Sequence, residues 1–182
     1  MTLKLIDYIV SSHSVVFFDR VNRYVYKVFK SYRSLDNIEK KEFREDDFNK
    51  WKKYVYKTEI DAYNIISYSS VKKFFPKRHT NFNIEKIIDE NDLDISNLFL
   101  LDCVIMLDLI EGESLKQNDS RVTLFCEEHN IDLQNVFHKL NKIGVCFYID
   151  SSVFCKQNNI KIIDIATKDF ANYQPPLLGF CK

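Results

Sequence analysis

A single lysine interrupts one of the most strand-prone stretches of the chain, Tyr24–Phe29. The other residues of this run are aromatic or β-branched: Tyr24, Val25, Tyr26, Val28 and Phe29. Such residues favour a half-buried strand. The interior of a strand is a costly place for an ammonium group that has no partner. Lys27 therefore needs either a buried carboxylate or a bound anion close to it.

The chain offers such a carboxylate on a predicted amphipathic helix, from about Asp46 to Tyr68. Residues spaced by three or four share one face of a helix. On this helix they are Phe48, Trp51, Val55, Glu59, Ala62 and Ile66. We take Glu59 to be the only charge in this apolar stripe and expect it to point inward and need a cation. We therefore expect Lys27 and Glu59 to form an ion pair with a functional role. The alternatives are an ion pair with only a structural role, or two side chains whose charged ends reach solvent.

Size and charge limit what the chain can be. With 182 residues it can form one good core or two small lobes. Residues 1–80 hold 17 Lys+Arg and 10 Asp+Glu, whereas the remainder holds 9 and 16. This imbalance suits two lobes that attract across a cleft, or else it is only uneven surface charge. It argues against a nucleic-acid-binding protein, which is usually basic throughout its binding face.

The glycine and cysteine contents exclude further classes of protein. Only 3 glycines are present, so glycine-rich phosphate-binding motifs such as the Walker loop are excluded. The 5 cysteines are scattered without a CxxC pair, which indicates free thiols in a reducing, cytoplasmic setting. The apolar run from Leu98 to Ile110 is too short to cross a bilayer and contains two aspartates, so no transmembrane segment is expected.

The order of predicted elements is that of an α+β protein. After the first strands and the long helix, two further helices are predicted over 119–130 and 132–143, with Gly144 as the C-cap of the second. The predicted strands are Leu5–Val10, Ser14–Phe18, Arg23–Lys30, Cys103–Ile110, Val145–Ile149, Val153–Cys155 and Ile160–Ile165, with Asn83–Glu90 as a strand or a short helix.

This order, together with the local motifs, resembles the protein-kinase-like fold, and most closely the small lipopolysaccharide core heptose kinases of Gram-negative bacteria. The resemblance runs from about Ser14 to Ala166. The matching segments are Ser14–Phe29 (second and third strands), Val104–Gly112 (strand and hinge), Leu140–Val145 (end of the helix before the catalytic loop) and Ile160–Asp164 (strand before the metal-binding aspartate). The resemblance implies a minimal bilobal fold, with a β-rich N-lobe and hinge over 1–112 and a truncated, mainly helical C-lobe over 113–182.

The resemblance also implies a role for each site residue, with ATP and Mg²⁺ as cofactors. Lys27 would neutralise phosphate oxygens while Glu59 fixes its rotamer, and Asp164 would hold the metal. Asp150 would orient the acceptor hydroxyl as the catalytic base. The side chains of Val16, Val25 and Leu107 would form apolar walls around the adenine. The backbone groups of Asp108 and Ile110, at the hinge, would bind its edge.

Several residues depart from the family pattern. Ser11–Ser14 replaces the glycine-rich loop, and Asp150 lies one residue later than the family's catalytic aspartate. Cys155 stands where the second metal ligand is expected, and only 14 positions separate Asp150 from Asp164. Asp169, which precedes a phenylalanine, is a rival to Asp164 as the metal ligand.

Three functions remain open at this stage. The first is a small, atypical phosphotransferase that moves the γ-phosphate of ATP to a hydroxyl of a sugar or a protein. The second is a catalytically inactive pseudokinase that acts by binding a protein partner. The shortened segment between Gly144 and Asp164 favours the pseudokinase, whereas Lys27, Glu59 and Asp164 favour the enzyme. An unrelated α+β binding domain is the third.

Overall fold

The computed structural model describes residues 1–116, 118–147, 152–156 and 159–172. The chain is an α+β protein, as predicted, and it divides into two compact units. The first unit comprises residues 1–57 and 78–109. The second comprises 58–77 and the described residues of 110–172. The predicted boundary at 112 thus lies three residues after the end of the first unit, and the segment 58–77 belongs to the second.

The first unit is built on a five-stranded antiparallel sheet. Its strands, with those of a separate two-stranded parallel ribbon, are β1 (Thr2–Lys4), β2 (Tyr8–Val10), β3 (Ser14–Asp19), β4 (Tyr24–Lys30), β5 (Arg78–His79), β6 (Lys86–Ile88) and β7 (Phe99–Asp108). The sheet has the order β2-β3-β4-β7-β5, and β1 pairs with β6 in the ribbon. The strand that carries Lys27, β4, is therefore central.

One face of this sheet packs on the core of the first unit. Alternate residues of a strand point to opposite faces, and those that point to the core are large and apolar. The ribbon adds Leu3 and Ile87 to the same core. The buried members are Leu3, Val15, Phe17, Tyr26, Val28, Ile84, Ile87, Val104 and Met106. Val25, Lys27 and Phe29 lie on the opposite face of β4.

The long helix α1 spans Glu45–Ser67, within one residue of the predicted bounds at each end. Three acidic residues, Glu45, Asp46 and Asp47, occupy its first turn, where they favour the positive end of the helix dipole. The predicted stripe is buried except for Trp51, which is half-buried. Residues 45–57 of α1 belong to the first unit, and its remaining residues belong to the second.

The second unit contains two further helices and two small sheets. The helices are α2 (Ser120–Glu128) and α3 (Leu133–Lys142); the strands are β8 (Ser114–Lys116), β9 (Val145–Phe147), β10 (Ser152–Lys156), β11 (Asn159–Ile162) and β12 (Ile165–Thr167). The sheets have the orders β11-β10-β8 and β12-β9. A hydrophobic core cluster of this unit contains Leu115, Val122, Cys126, Val153 and Ile160.

Short polar signals set the ends of these helices. The carboxylates of Asp119 and Asp132 accept hydrogen bonds from backbone N–H groups in the first turns of α2 and α3. Gly144 follows α3 with φ +80°, in the left-handed region that ends helices. The predicted ends of both helices agree with these caps to within two residues.

One predicted strand is divided in two. The segment Ile160–Ile165 reads as a single strand in sequence, but β11 ends at Ile162 and β12 begins at Ile165. Asp164 lies between them with φ +61°, a backbone angle that no strand continues through. The first predicted strand is also shorter than expected, because only Tyr8–Val10 of Leu5–Val10 pairs with β3.

The charge imbalance between the halves of the sequence is not an imbalance between the units. Residues 1–57 and 78–109 carry 15 Lys+Arg and 15 Asp+Glu. Residues 58–77 and 110–172 carry 10 and 11. Each unit is therefore close to neutral by itself.

Among the residues that the structure describes, no helix combines the length and the apolar character that crossing a membrane requires.

Candidate functional site

The register of the first unit's sheet brings together several of the predicted site residues. Lys27 on β4 pairs with Val16 on β3 and with Ile105 on β7. Val25 pairs with Leu107 in the same way. Directly paired residues of neighbouring antiparallel strands share a face. These five residues, Val16, Val25, Lys27, Ile105 and Leu107, are called the Lys27 face below. They lie on the sheet face opposite the core cluster that contains Tyr26 and Val28, and Ile105 and Leu107 are themselves buried.

The Lys27 face places an ammonium group beside apolar side chains. Lys27 is half-buried, and its Nζ lies 5.7 Å from the centroid of the Phe29 ring. Phe29 is fully buried and meets the ring of Tyr56 on α1 edge-on, with 5.6 Å between the centroids. Val16 and Val25 are half-buried, and such apolar side chains next to a cation can accept the face of a heteroaromatic ring and an anionic group attached to it.

The hinge residues lie where β7 ends. The carboxylate of Asp108 is bound to Nε2 of His79, with 2.6 Å between the atoms, so its side chain ties β7 to β5. The backbone N–H of Leu109 donates to the carbonyl of Arg23. Ile110 is half-buried and opens the second unit's segment of the chain. A backbone role for Asp108 and Ile110 toward an adenine stays a prediction.

Glu59 is buried, as predicted, with 5% of its surface exposed. It lies in the part of α1 that belongs to the second unit, whereas Lys27 lies in the first. The ion pair between these two residues stays a prediction.

Tyr63, one helical turn after Glu59, has the only buried side-chain oxygen or nitrogen in the described part of the chain that makes no hydrogen bond there. Burial, followed by the carboxylates of Glu59 and Asp164, raises the pKa of its hydroxyl well above the ordinary value. The carboxylates of Glu59 and Asp164 therefore lie close enough to this buried hydroxyl in the second unit to affect its pKa. This cluster was missed in the sequence, where Tyr63 reads as an ordinary apolar helix residue.

Asp164 is half-buried in the bend between β11 and β12. Its positive φ is uncommon for a residue with a side chain, and such backbone strain concentrates at functional sites. Its rival Asp169 is exposed in a short 3-10 turn, Lys168–Asn172. Asp150, the predicted catalytic base, lies outside the described residues.

The chain brings together no three His, Cys, Asp or Glu side chains as a metal site within the described ranges. Mg²⁺ seldom needs such a cage, because it is usually held by one or two carboxylates together with phosphate oxygens and water. A single aspartate at position 164 thus fits a metal that arrives with a nucleotide. It does not fit a resident zinc or calcium ion.

The described cysteines behave as small apolar residues. Cys103, Cys126, Cys146 and Cys155 are free thiols, and the first two are buried. Burial, followed by the neighbouring Asp102, raises the pKa of Cys103 to about 12. A thiol of this kind is protonated at neutral pH and is a poor nucleophile.

A second buried charge corrects the sequence-based description of α1. Lys52 lies four residues after Phe48 and three before Val55, on the same stripe as Glu59, and only 1% of it is exposed. Glu59 is therefore not the only charge in the stripe. Burial of this kind is uncommon for lysine, whose long stem usually lets the charge reach water.

The ammonium of Lys52 is enclosed by aromatic rings and by the loop between β2 and β3. Its Nζ lies 2.7 Å from Nδ1 of His13 and 3.4 Å from the carbonyl oxygen of Ser12. The ring centroids of Trp51 and Phe48 are 4.4 and 4.9 Å away. Burial, followed by the positive charge of Lys30, lowers the pKa of Lys52 to about 7, against a smaller opposing effect of Glu39.

The second unit also has a cavity of about 790 Å³ between α2 and α3. Apolar residues such as Val122, Leu133 and Phe137 line it together with the carboxylates of Glu127 and Asp132. None of the residues predicted from the sequence to bind nucleotide or metal belongs to its lining.

Comparison with known proteins finds no matching family model, no matching curated protein and no matching solved structure. What this chain does has therefore to be inferred from its own residues.

Proposed function

We propose that this chain is a minimal kinase-like protein that binds Mg-ATP and transfers the γ-phosphate to a hydroxyl of a sugar or a protein. One observation carries the proposal: the strand register that places Val16, Val25 and Leu107 on one sheet face with Lys27. This arrangement offers apolar walls for adenine and a cation for phosphate. The bilobal kinase-like fold is part of the same proposal.

Each residue has a definite task in this proposal. The oxygen of the acceptor hydroxyl attacks the γ-phosphorus, the bond from phosphorus to the β-phosphate oxygen breaks, and ADP leaves. Asp150 orients the hydroxyl and accepts its proton. Lys27 offsets the charge on the phosphate oxygens, Glu59 holds Lys27 in place, and Asp164 binds the Mg²⁺ that comes with the nucleotide. Such catalysis consists mainly of positioning and charge stabilisation.

A pseudokinase is the second candidate, and one local feature favours it. β10 begins at Ser152, so the chain enters a strand two residues after Asp150. Cys155 lies within that strand, paired with Ile160. This leaves little room for the loop that would carry a second metal ligand. In this alternative the chain keeps the nucleotide-binding residues and acts by contact with a protein partner.

Thermal denaturation with Mg-ATP tests both candidates, because a ligand of the folded state raises the melting temperature. We expect Lys27→Met to weaken ATP binding about tenfold or more, as expected for the loss of a charge-assisted hydrogen bond. Adenosine binding should change little, since the apolar side chains proposed to surround the adenine remain. Lys50→Met, an exposed lysine of α1, is the charge-matched control. No shift for the wild type at millimolar ATP would count against both candidates.

Transfer of label from [γ-³²P]ATP to sugar and protein acceptors then separates the two. Transfer that is lost in Asp150→Ala supports the phosphotransferase with Asp150 as its base. Nucleotide binding with no transfer to any acceptor supports the pseudokinase. Transfer that persists in Asp150→Ala removes the aspartate from the mechanism.

A further inference from the structure

Two lysine ammonium groups lie close to the loop between β2 and β3. This loop, Ser11–His13, is called the serine loop. Lys30, at the end of β4, donates from Nζ to the carbonyl oxygen of Ser11 over 2.6 Å. Lys52, on α1, reaches the carbonyl of Ser12 and the ring of His13. All of these residues belong to the first unit.

These two lysines lack an ion-pair partner in the described part of the chain. Neither Lys30 nor Lys52 makes an ion pair with any residue in the described ranges, although exposed lysines nearby do, such as Lys53 with Asp102. The carboxylate of Glu39 favours the charged form of both lysines, but its effect on each pKa is smaller than that of burial. Two like charges held close together with this partial compensation destabilise each other. An anion bound at the serine loop would offset both charges.

We propose that the serine loop binds a phosphate group or another tetrahedral oxyanion, with Lys30 as its direct ligand and Lys52 as a second positive charge behind the loop. This site uses none of the residues of the Mg-ATP proposal. Its ligand is either a free oxyanion or the phosphate chain of a larger molecule.

The geometry leaves the approach open. Ser11 and Ser12 are exposed, and Nζ of Lys30 uses one of its three N–H donors on the Ser11 carbonyl. Ser11 and Ser14 are held together, with 2.9 Å between their Oγ atoms, which fixes the base of the hairpin. A tetrahedral anion at the tip can therefore accept from Lys30 without opening the sheet.

Lys52 gives the site a dependence on pH. Its surroundings contribute Lys30 from β4, His13 from the serine loop and Glu39 from the 3-10 turn Glu39–Lys41 as charged or titratable groups. With a pKa of about 7, Lys52 is only partly protonated near neutrality. A bound anion favours the charged form and raises this pKa, so binding takes up protons. Affinity should rise as the pH falls from about 9 to about 7.

Isothermal titration with sodium sulfate tests the site directly, because sulfate does not titrate in this pH range. Repeating the titration near pH 8 in buffers of different ionisation enthalpy measures the protons taken up. We expect Lys30→Met to weaken binding about tenfold or more. Lys52→Met should weaken it less and abolish the proton uptake. Lys50→Met removes the same charge from an exposed position of α1 and should leave both unchanged.

Three results would overturn the proposal: wild-type affinity in Lys30→Met, equal losses in Lys50→Met and Lys30→Met, or no proton uptake by the wild type. The last measurement needs no variant, so it decides even if a substitution prevents folding. Circular dichroism of each variant checks the fold.

Two further titrations identify the source of the anion. Tripolyphosphate that binds much more tightly than sulfate, with the same loss in Lys30→Met, supports a site for a phosphate chain. Sulfate and tripolyphosphate of equal affinity support a site for a free oxyanion. ATP binding that is lost in Lys27→Met, with no binding of sulfate or tripolyphosphate, would overturn this site and leave the Mg-ATP proposal intact.

Discussion

Lys52 is an unusual residue for a protein interior, because its ammonium is buried without an ion-pair partner in the described part of the chain. A lysine that is 1% exposed gives up the hydration of its ammonium, and its partners are a carbonyl, an imidazole and two aromatic rings. These partners stabilise a cation less than a carboxylate would. The ammonium can donate to Nδ1 of His13 only while that nitrogen is unprotonated. If the facing nitrogens of Lys52 and His13 both carry a proton on the side where they meet, the two groups repel each other.

The lowered pKa makes stability depend on pH, with a definite sign. The unfolded chain keeps the Lys52 proton up to its ordinary pKa of 10.5, whereas the folded chain loses it near pH 7. Between these values the unfolded state binds more protons at Lys52, so the contribution of this residue to the free energy of unfolding rises with pH. Below about pH 7 the destabilisation by the buried charge is present in full.

We expect the free energy of unfolding of the wild type to rise relative to that of Lys52→Met by about 2 kcal/mol between pH 7 and pH 9. The comparison is made with the variant because the thiols of Cys103, Cys126 and Cys155 have raised pKa values, which lower the stability of both proteins as the pH rises over this range. Urea denaturation of both proteins measures the difference, and Lys52→Met should be the more stable of the two at pH 7. Lys53→Met, at the next position on the exposed side of α1, should keep the pH dependence of the wild type. A difference between the wild type and Lys52→Met that does not change with pH would contradict the pKa of Lys52.

Tyr63 allows a second prediction, because the same substitution has opposite effects at two tyrosines. The hydroxyl of Tyr63 is buried without a partner in the described part of the chain, whereas that of Tyr32 donates to the carbonyl of Lys40 over 3.0 Å. Tyr63→Phe removes an unsatisfied polar group and should stabilise the fold by about 1 kcal/mol. Tyr32→Phe should destabilise it by a similar amount, on the order of 1 kcal/mol. Urea denaturation of both variants checks the signs; a loss of stability in Tyr63→Phe would show that its hydroxyl has a partner.

The residue scale also shows what a helical pattern can and cannot reveal. The spacing rule identified Glu59 as inward-facing, and the structure buries it. Applied evenly, the same rule would have placed Lys52 inside, since it follows Phe48 by one turn. No pattern in the sequence could show that His13, nearly forty positions away, supplies its partner.

Among the elements, the helices were the most predictable, because caps and periodicity agree. α1 begins one residue before its predicted start, and Asp119 and Asp132 cap α2 and α3. The short strands were not predictable, because β5 and β8 have only two or three residues and depend on partners elsewhere in the chain. The break at Asp164 also escapes a hydrophobic pattern, since isoleucines lie on both sides of it.

Gly144 gives a prediction at the scale of one helix end. Its φ of +80° lies in the left-handed region, and a Cβ added there would meet no heavy atom within 4 Å. The effect of Gly144→Ala is therefore conformational rather than steric, and it should destabilise the protein by about 1 kcal/mol. Gly144→Asn should be less damaging, because asparagine tolerates this region better. Urea denaturation of the two variants tests the order; an alanine variant as stable as the wild type would contradict it.

At the scale of the whole molecule, strand pairing redistributes the charges of the sequence. Residues 78–109 carry 2 Lys+Arg and 7 Asp+Glu, and they join the basic residues 1–57 because β7 pairs with β4. The first unit is thereby neutral. The sequence alone suggested two oppositely charged lobes because a division at residue 80 ignores this long-range pairing. Pairing between distant strands is the information that local patterns lack.

Near-neutral units also predict how the protein responds to salt. The described ion pairs, such as Lys4 with Asp92 and Arg121 with Glu113, are largely exposed, and such pairs contribute little stability each. We therefore expect the free energy of unfolding at neutral pH to change by less than about 1 kcal/mol when sodium chloride is raised from roughly 50 mM to 500 mM. Urea denaturation at the two concentrations measures the change. The destabilisation by buried Lys52 is a matter of lost hydration, which salt in the solvent does not restore. A strong loss of stability in sodium chloride would mean that long-range attraction between charges holds the fold together, and the neutral charge of each unit would then be the wrong description.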